Sequence, residues 1–155
     1  GQPLETIHAP VPGFGPQSRN AQLIGRMFDA ARPETPMLRW NWSLYGDDRL
    51  HHPDASPPRR FGNGPRAEPV FLRLERQTLR KLPATGAMLF TVRILLDPVS
   101  ALEGDPEGPA LATALIGQLA GLDPAELDYK GMTLERDRVI DRLAEIAALP
   151  LQSSA

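Results

Sequence analysis

The chain has 155 residues, enough for one domain with its own hydrophobic core. Its content of 41% hydrophobic and 23% charged residues is ordinary for a globular protein, and no apolar run approaches the roughly 20 residues of a membrane span. Cysteine is absent, which excludes disulfides, thiolate metal ligands, iron–sulfur ligation and cysteine catalysis within this chain. Since no signal-peptide pattern is present either, we expect a cytoplasmic protein that does not contact a membrane.

The charges are unevenly distributed, although the formal net charge is only −2. Residues 39–93 contain ten basic and five acidic side chains, whereas 97–145 contain four basic and eleven acidic ones. A basic middle can face anions or an acidic partner, and it can equally pair with the acidic part of the same chain. Because the excess of basic residues is too small for nucleic-acid binding and no nucleic-acid-binding motif is present, we expect no nucleic-acid partner.

In the first half of the chain, the sequence predicts an extended N-terminal segment (the lead-in), a helix, a strand and a long loop. Residues 1–16 are an extended segment rich in proline and glycine. Apolar residues at helical spacing predict a helix from Ser18 to about Ala31, and 37–45 reads as a strand. The proline-rich stretch 46–68 is predicted to be a long polar loop, which by its length is functional, mobile or an interface.

Alternation along the first strand separates its side chains into two sets. Trp40 and Trp42 fall on one face, where we expect buried core, with the wall of an apolar pocket as the alternative. Arg39, Asn41 and Ser43 fall on the opposite face, which makes that face polar.

A β-hairpin is predicted next, with strands at about 69–80 and 86–96 joined by a Pro-Ala-Thr-Gly turn. One of its faces can be fully apolar, while the other mixes aromatic, charged and amide groups. The polar side chains of interest in these strands are Arg73, Glu75, Gln77 and Arg93. Both a polar pocket wall and a solvated sheet face fit this pattern.

The remaining residues predict helices that begin near Asp105, at Asp123 and at Thr133, the last one ending near Ala148. In the last helix Val139, Ile140, Leu143 and Ile146 are expected inward, and Glu135, Arg138, Arg142 and Glu145 outward as ion pairs. Lys130 is expected to be an exposed lysine at a helix end, and a docking contact for a partner protein is the alternative. Strands followed by helices give an α+β fold, and we expect a single domain over 1–155.

Four short motifs occur in the chain in this order: IHAPVPG at 7–13, RWNWS at 39–43, RLERQTLRKLP at 73–83 and YKG at 129–131. Together they resemble the heme-dependent oxidative N-demethylase family, α-subunit type, over most of the chain. The resemblance implies a PAS-like domain with heme b, in an enzyme that oxidises a small methylated amine with O₂. It also implies electrons from NADPH through a reductase-type partner subunit that carries FMN and an iron–sulfur cluster.

Compared with that family, the chain resembles the C-terminal part of a longer PAS-like domain. Only three of five expected strands are visible, so this chain is expected to lack part of the cofactor pocket. Because it has no binding signature for NADPH, FMN or an iron–sulfur cluster, we expect this chain alone to be inactive with NADPH. An open sheet edge favours pairing with a second copy, and we therefore expect a homodimer.

The resemblance gives candidate cofactor-binding residues. His8 is the candidate proximal ligand of the heme iron, and its alternative role is a structural histidine in a proline-rich turn. His51 and His52 lie in the long loop, where a solvated or partner-facing position is expected. Arg39 and Asn41 are candidates for contacts with the cofactor.

The hairpin supplies the candidate catalytic residues. Arg73 and Arg93 suit donation to bound oxygen or to a heme propionate, Glu75 suits an ammonium group, and Gln77 lies on the same face. Ion pairing between strands is the competing account. The alternative function is a non-catalytic PAS-like module for ligand sensing or assembly, which as this fragment could be free of cofactor.

Overall fold

The computed structural model describes residues 18–52 and 59–150, so His8 and the predicted lead-in lie outside the described residues. The elements in chain order are α1 Arg19–Ala30, β1 Met37–Tyr45, β2 Phe71–Lys81, β3 Met88–Pro98, a 3-10 helix Val99–Gly104, α2 Gly108–Ala120, α3 Pro124–Tyr129 and α4 Arg136–Ala147. The strands form one antiparallel sheet in the order β1-β2-β3. The predicted α+β class is confirmed.

The predicted hairpin is present, and backbone hydrogen bonds mark both of its ends. At the turn the Leu82 N–H donates to Ala87 O at 2.8 Å, and Gly86 adopts a φ of 70° that side chains rarely allow. At the open end the Val99 N–H donates to Val70 O at 2.9 Å. The turn chemistry therefore fixes the pairing of β2 with β3, as the sequence predicted.

Helix α1 begins where its capping residue predicts. The Ser18 side chain accepts a hydrogen bond from the Ala21 N–H at 3.1 Å, and the helix ends before Pro33. No residue of this helix is buried, and its apolar residues Leu23 and Met27 are exposed. The predicted amphipathic helix thus forms, but the described residues do not cover its apolar face.

Two compact units divide the chain: a first unit, Gly1–Asn41 with Glu75–Ile94, and a second unit, Trp42–Leu74 with Leu95–Ala155. The described buried apolar core lies wholly in the second unit and consists of Leu44, Phe61, Ala67, Val70, Val99, Ala112, Leu119, Leu127, Met132, Val139, Leu143 and Ile146. The first unit instead exposes Leu23, Met27, Leu38, Trp40, Leu89, Phe90 and Val92.

The prediction of two buried tryptophans is wrong for Trp40. Trp42 is partly buried and packs against the core of the second unit, beside the buried Leu44. Trp40 lies in the first unit and is 55% exposed. Alternation places the two rings on one face of β1, but burial also requires a neighbour that covers that face.

The predicted ion pairs of the last helix form, between Glu135 and Arg138 and between Arg142 and Glu145, but the outward position of Glu135 and Arg142 is a wrong prediction. Arg142 is 2% exposed and Glu135 is buried as well. Arg142 reaches Glu103, Glu145 and Glu68, while Glu135 pairs with two arginines. Charged groups of this kind can be buried because opposite charges and hydrogen bonds replace the water they lose.

The segment between β1 and β2 is not simply solvated. Phe61, Ala67 and Val70 belong to the buried core, so the described part of this loop packs into the second unit. No helix within 18–52 and 59–150 is long and apolar enough to cross a membrane.

Candidate functional site

Two arginines and a histidine surround the ring of Tyr45, the last residue of β1. The Arg59 Cζ lies 3.7 Å from the ring centroid, and the Arg73 Cζ lies 5.3 Å from it. The His52 ring centroid is 4.6 Å from that of Tyr45, with the planes tilted by 36°. All four residues belong to the second unit, and we call them the Tyr45 cluster.

A glycine allows this cluster to form. A Cβ on Gly46, the residue after Tyr45, would lie 1.9 Å from the carbonyl oxygen of Arg60. Only glycine therefore lets the backbone at Arg60 approach the end of β1. The Arg59 N–H donates to Gly131 O at 2.8 Å, which fixes the same segment from the other side.

Arg73 enters the cluster from β2 as a buried side chain. It is 9% exposed, and its Nη1 donates to Leu50 O at 3.0 Å. A buried guanidinium needs acceptors of this kind, since leaving it without any would cost several kcal/mol. The sequence predicted Arg73 as a site residue, and the structure places it beside the aromatic ring of Tyr45.

The segment after Tyr45 forms a small network of its own. Asp47 accepts hydrogen bonds from the Arg49 N–H at 3.0 Å and from Arg49 Nη2 at 3.2 Å. The hydrogen bond from the Arg49 side chain holds the pKa of the Asp47 carboxyl below its usual range. His52 Nε2 lies 3.0 Å from Arg49 O and 3.4 Å from Asp47 Oδ1. That imidazole is therefore held against Tyr45 by a backbone and a carboxylate contact.

Arg59 differs from Arg73 in its hydrogen bonding. Its Nε is buried, and within the described chain that atom has no hydrogen-bond partner. Stacking on an aromatic ring occupies the face of a guanidinium and leaves its N–H groups, which lie in the plane, for acceptors. The cluster thus holds a positioned cation whose Nε lacks an acceptor, which suits an anionic ligand.

Sequence analysis did not single out Tyr45 or Arg59. The signal available for Arg59 is a pair of arginines, Arg59 and Arg60, that directly follows two prolines. Nothing in the pattern shows that this pair returns to the end of β1, because that contact depends on the fold.

The other predicted site residues do not join this cluster within the second unit. The Gln77 side chain donates to Glu75 Oε2 at 2.9 Å on β2, and Gln77 is buried. Arg39, Asn41 and Arg93 are exposed residues of the first unit. The structure therefore places Glu75 in contact with Gln77, and it places Arg73 beside Tyr45.

Lys130 was predicted to be an exposed lysine, and this is wrong. Its Nζ donates to Trp42 O at 3.0 Å and lies 4.6 Å from the Trp42 ring centroid. The lysine therefore fastens the end of α3 to β1, where a carbonyl and an aromatic face both attract its charge.

A separate small cleft lies beside the buried Arg142. Its cavity volume is about 20 Å³, room for about one water molecule, and it is lined in part by Val70, Pro98 and Val99. This is less than the roughly 300–1,000 Å³ of pockets that bury a ligand of drug size. The cleft is therefore too small for a large organic cofactor.

These observations define an α+β protein with a cationic, aromatic cluster at the end of a strand. The sequence model of the family described as "Haem-dependent oxidative N-demethylase, alpha subunit-like" matches residues 1–140. That match covers most of the 155 residues, and the chain belongs to this family. The family name indicates dependence on heme.

The described residues fit one part of a heme. A heme carries two propionate carboxylates, and the buried, unpartnered Nε of Arg59 matches such an acceptor. The iron needs axial side chains, for which histidine is a common choice. His8 lies outside the described residues, and no group of three or more His, Cys, Asp or Glu that could hold a metal occurs within 18–52 and 59–150. That grouping is not required for heme, whose porphyrin supplies four of the ligands to iron.

Proposed function

We propose that this chain is part of a heme-binding oxidoreductase subunit that removes a methyl group from a small amine. Membership of the family supports this proposal. The observation in the structure that carries it is Arg59, which is stacked on Tyr45 and whose buried Nε lacks a partner among residues 18–52 and 59–150. Heme is an amphipathic dianion, so a guanidinium held against an aromatic ring suits its carboxylate edge.

In the proposed reaction a methyl group leaves the amine as formaldehyde. With dimethylamine as the example, amine, O₂, two electrons and two protons give methylamine, formaldehyde and water. Bound heme supplies oxygen activation, and the two electrons come from NADPH through a reductase-type partner subunit that carries FMN and an iron–sulfur cluster. The protein supplies binding, orientation and charge.

The predicted residues take defined parts in this proposal. His8 would hold the iron, and Arg39 and Asn41 would contact the cofactor. Glu75 binds the ammonium group of the substrate, because a carboxylate complements its positive charge. Gln77 orients that carboxylate through the hydrogen bond it already makes.

Two arginines complete the proposed active site. Arg73 and Arg93 would supply N–H donors where negative charge develops during the reaction. Arg73 is already buried and held by Leu50 O, so its guanidinium is oriented before any ligand binds. Such orientation lowers the cost of reorganisation during the reaction.

A PAS-like sheet and a homodimer complete the proposal. In the described sheet β1 and β3 are edge strands, and β3 exposes Leu89, Phe90 and Val92. A long apolar edge of this kind favours pairing with another strand. We assign a second copy of this chain to that edge.

The second candidate function is a non-catalytic PAS-like module that binds heme or another ligand for sensing or assembly. The contact between Glu75 and Gln77 favours it, because a carboxylate that already accepts from an amide is less available to an ammonium group. Turnover separates the two candidates, since a bound heme is common to both.

Hydrogen peroxide allows turnover to be tested without the reductase. Dimethylamine and peroxide give methylamine, formaldehyde and water, which balances without external electrons. The chain is loaded with hemin, and formaldehyde is compared with that from free hemin at equal concentration. The enzyme proposal expects formaldehyde above the hemin control that falls in Glu75→Gln. Heme binding with formaldehyde no higher than the control would instead favour the non-catalytic module.

A further inference from the structure

We propose that Arg59 binds a heme propionate, with the Tyr45 ring holding its guanidinium in place. This inference rests on the proposed function, because it assigns one end of the heme to a particular side chain. Arg59 lies outside all four motifs on which the family resemblance depends, so the inference adds a cofactor-binding residue to those predicted from the sequence.

The position of Arg59 is fixed on three sides. Its guanidinium carbon lies 3.7 Å from the Tyr45 centroid, and its backbone N–H donates to Gly131 O at 2.8 Å. The next residue, Arg60, passes so close to Gly46 that no side chain fits there. A side chain held in this way loses little further conformational entropy when it binds a ligand.

Within the described part of the chain, the Nε of Arg59 has no acceptor. A buried N–H without a partner costs about 1–3 kcal/mol, which a carboxylate would recover. A guanidinium presents parallel N–H groups that match the two oxygens of a carboxylate. A propionate satisfies both requirements at once.

Neighbouring arginines of the second unit already have acceptors. Arg60 pairs with Glu135 at 3.2 Å, and Arg73 donates to Leu50 O at 3.0 Å. The others pair with carboxylates: Arg66 with Glu68 and Glu145, Arg136 with Asp137, Arg138 with Glu135, and Arg142 with Glu103 and Glu145. Arg142 also has a buried Nε without a hydrogen-bond partner within the described residues, but its guanidinium pairs with three carboxylates. Arg59 differs within the described part of this unit because its guanidinium lies against an aromatic ring.

The experiment compares hemin with hemin dimethyl ester, in which both propionates are esterified and uncharged. Affinities of the full chain for both compounds are measured from the Soret band in titrations of the native chain, Arg59→Gln, Arg59→Lys and Arg136→Gln. Arg136→Gln is the matched control, since it removes the same charge from the same unit at a residue paired with an exposed aspartate. Circular dichroism verifies that each variant is folded.

We expect the native chain to bind hemin about 10- to 100-fold more tightly than the ester, which is the range for a lost charge-assisted hydrogen bond. In Arg59→Gln this preference falls toward one, Arg59→Lys keeps part of it, and Arg136→Gln keeps all of it. The native chain tests the inference without any variant, so a variant that fails to fold does not remove the test.

Three results would overturn the inference. If the native chain binds both compounds equally, no propionate is recognised, although the proposed heme function stands. If Arg59→Gln keeps the native preference, another residue binds the propionate and heme binding again stands. If neither compound binds in a saturable way, the proposed function fails and the inference fails with it.

Discussion

Replacement of Arg138 by methionine removes a side chain that joins helix α4 to the loop segment 61–66. Its guanidinium pairs with Glu135 and donates to the carbonyls of Phe61, Gly64 and Arg66, with 3.2 Å to both Phe61 O and Arg66 O. Methionine keeps the apolar stem of similar length and loses every one of these hydrogen bonds. The variant therefore measures the connection between helix and loop.

The expected cost follows from burial and from what each partner retains. Hydrogen bonds to a charged group contribute about 1.5–3 kcal/mol each, but the Arg138 side chain is 28% exposed, so water replaces part of them. Phe61 O keeps the bond from the Glu68 N–H at 3.1 Å, and the buried Glu135 keeps Arg60. We expect a loss of about 2–4 kcal/mol in the free energy of unfolding.

Urea denaturation followed by circular dichroism measures this loss. With a slope of about 2 kcal/mol per molar urea, the midpoint falls by about 1–2 M. Arg136→Met on the same helix is the control, because its exposed pair with Asp137 contributes about 0–1 kcal/mol. Equal shifts in the two variants would refute the reasoning that Arg138 holds the loop.

Three further predictions concern a glycine, a carboxylate and the sheet edge. Gly46→Ala places a Cβ 1.9 Å from Arg60 O and lowers the free energy of unfolding by about 1–3 kcal/mol in urea denaturation, whereas Gly117→Ala, with nothing within 4 Å, does not. The hydrogen bond from Arg142 lowers the pKa of the Glu103 carboxyl. The ionised carboxylate therefore stabilises the folded state fully at pH values above its ordinary pKa of 4.5, and this stabilisation is lost as pH falls through the lowered pKa. Urea midpoints at several pH values therefore show the largest cost of Glu103→Gln near neutrality. Val92→Lys on the β3 edge shifts the expected dimer toward monomer in sedimentation velocity.

Each of these predictions has a result that contradicts it. Equal stability of Gly46→Ala and the native chain would mean that the backbone at Arg60 moves away without cost. A cost of Glu103→Gln that grows on acidification would reverse the sign derived from the lowered pKa. A native chain that stays monomeric at all concentrations would remove the proposed dimer.

Features set by local sequence were predicted well. Ser18 caps α1, and Asp123 caps α3 with its side chain accepting from the Glu126 N–H at 2.8 Å. The hairpin turn follows from its proline and glycine, and Val139, Leu143 and Ile146 are buried as their spacing predicted. Caps, turns and helical spacing act within a few residues, so the sequence alone displays them.

Features that depend on distant partners were predicted poorly. Arg142 fits an exposed ion-pair pattern in sequence, but it is buried because Glu103, which lies 39 positions away, provides its counter-charge. The contact of Arg59 with Tyr45 depends likewise on the chain returning to the end of β1. Periodicity identifies the faces of an element, whereas burial and pairing depend on the elements packed against those faces.

Heme binding by the residues of this chain is tested by a hemin titration of the native chain and of His8→Ala. We expect a sharp Soret band that saturates at one hemin per chain and is lost or shifted in His8→Ala. A native chain that gives no saturable band would contradict heme binding. An identical band in both proteins would contradict the assignment of His8 to the iron.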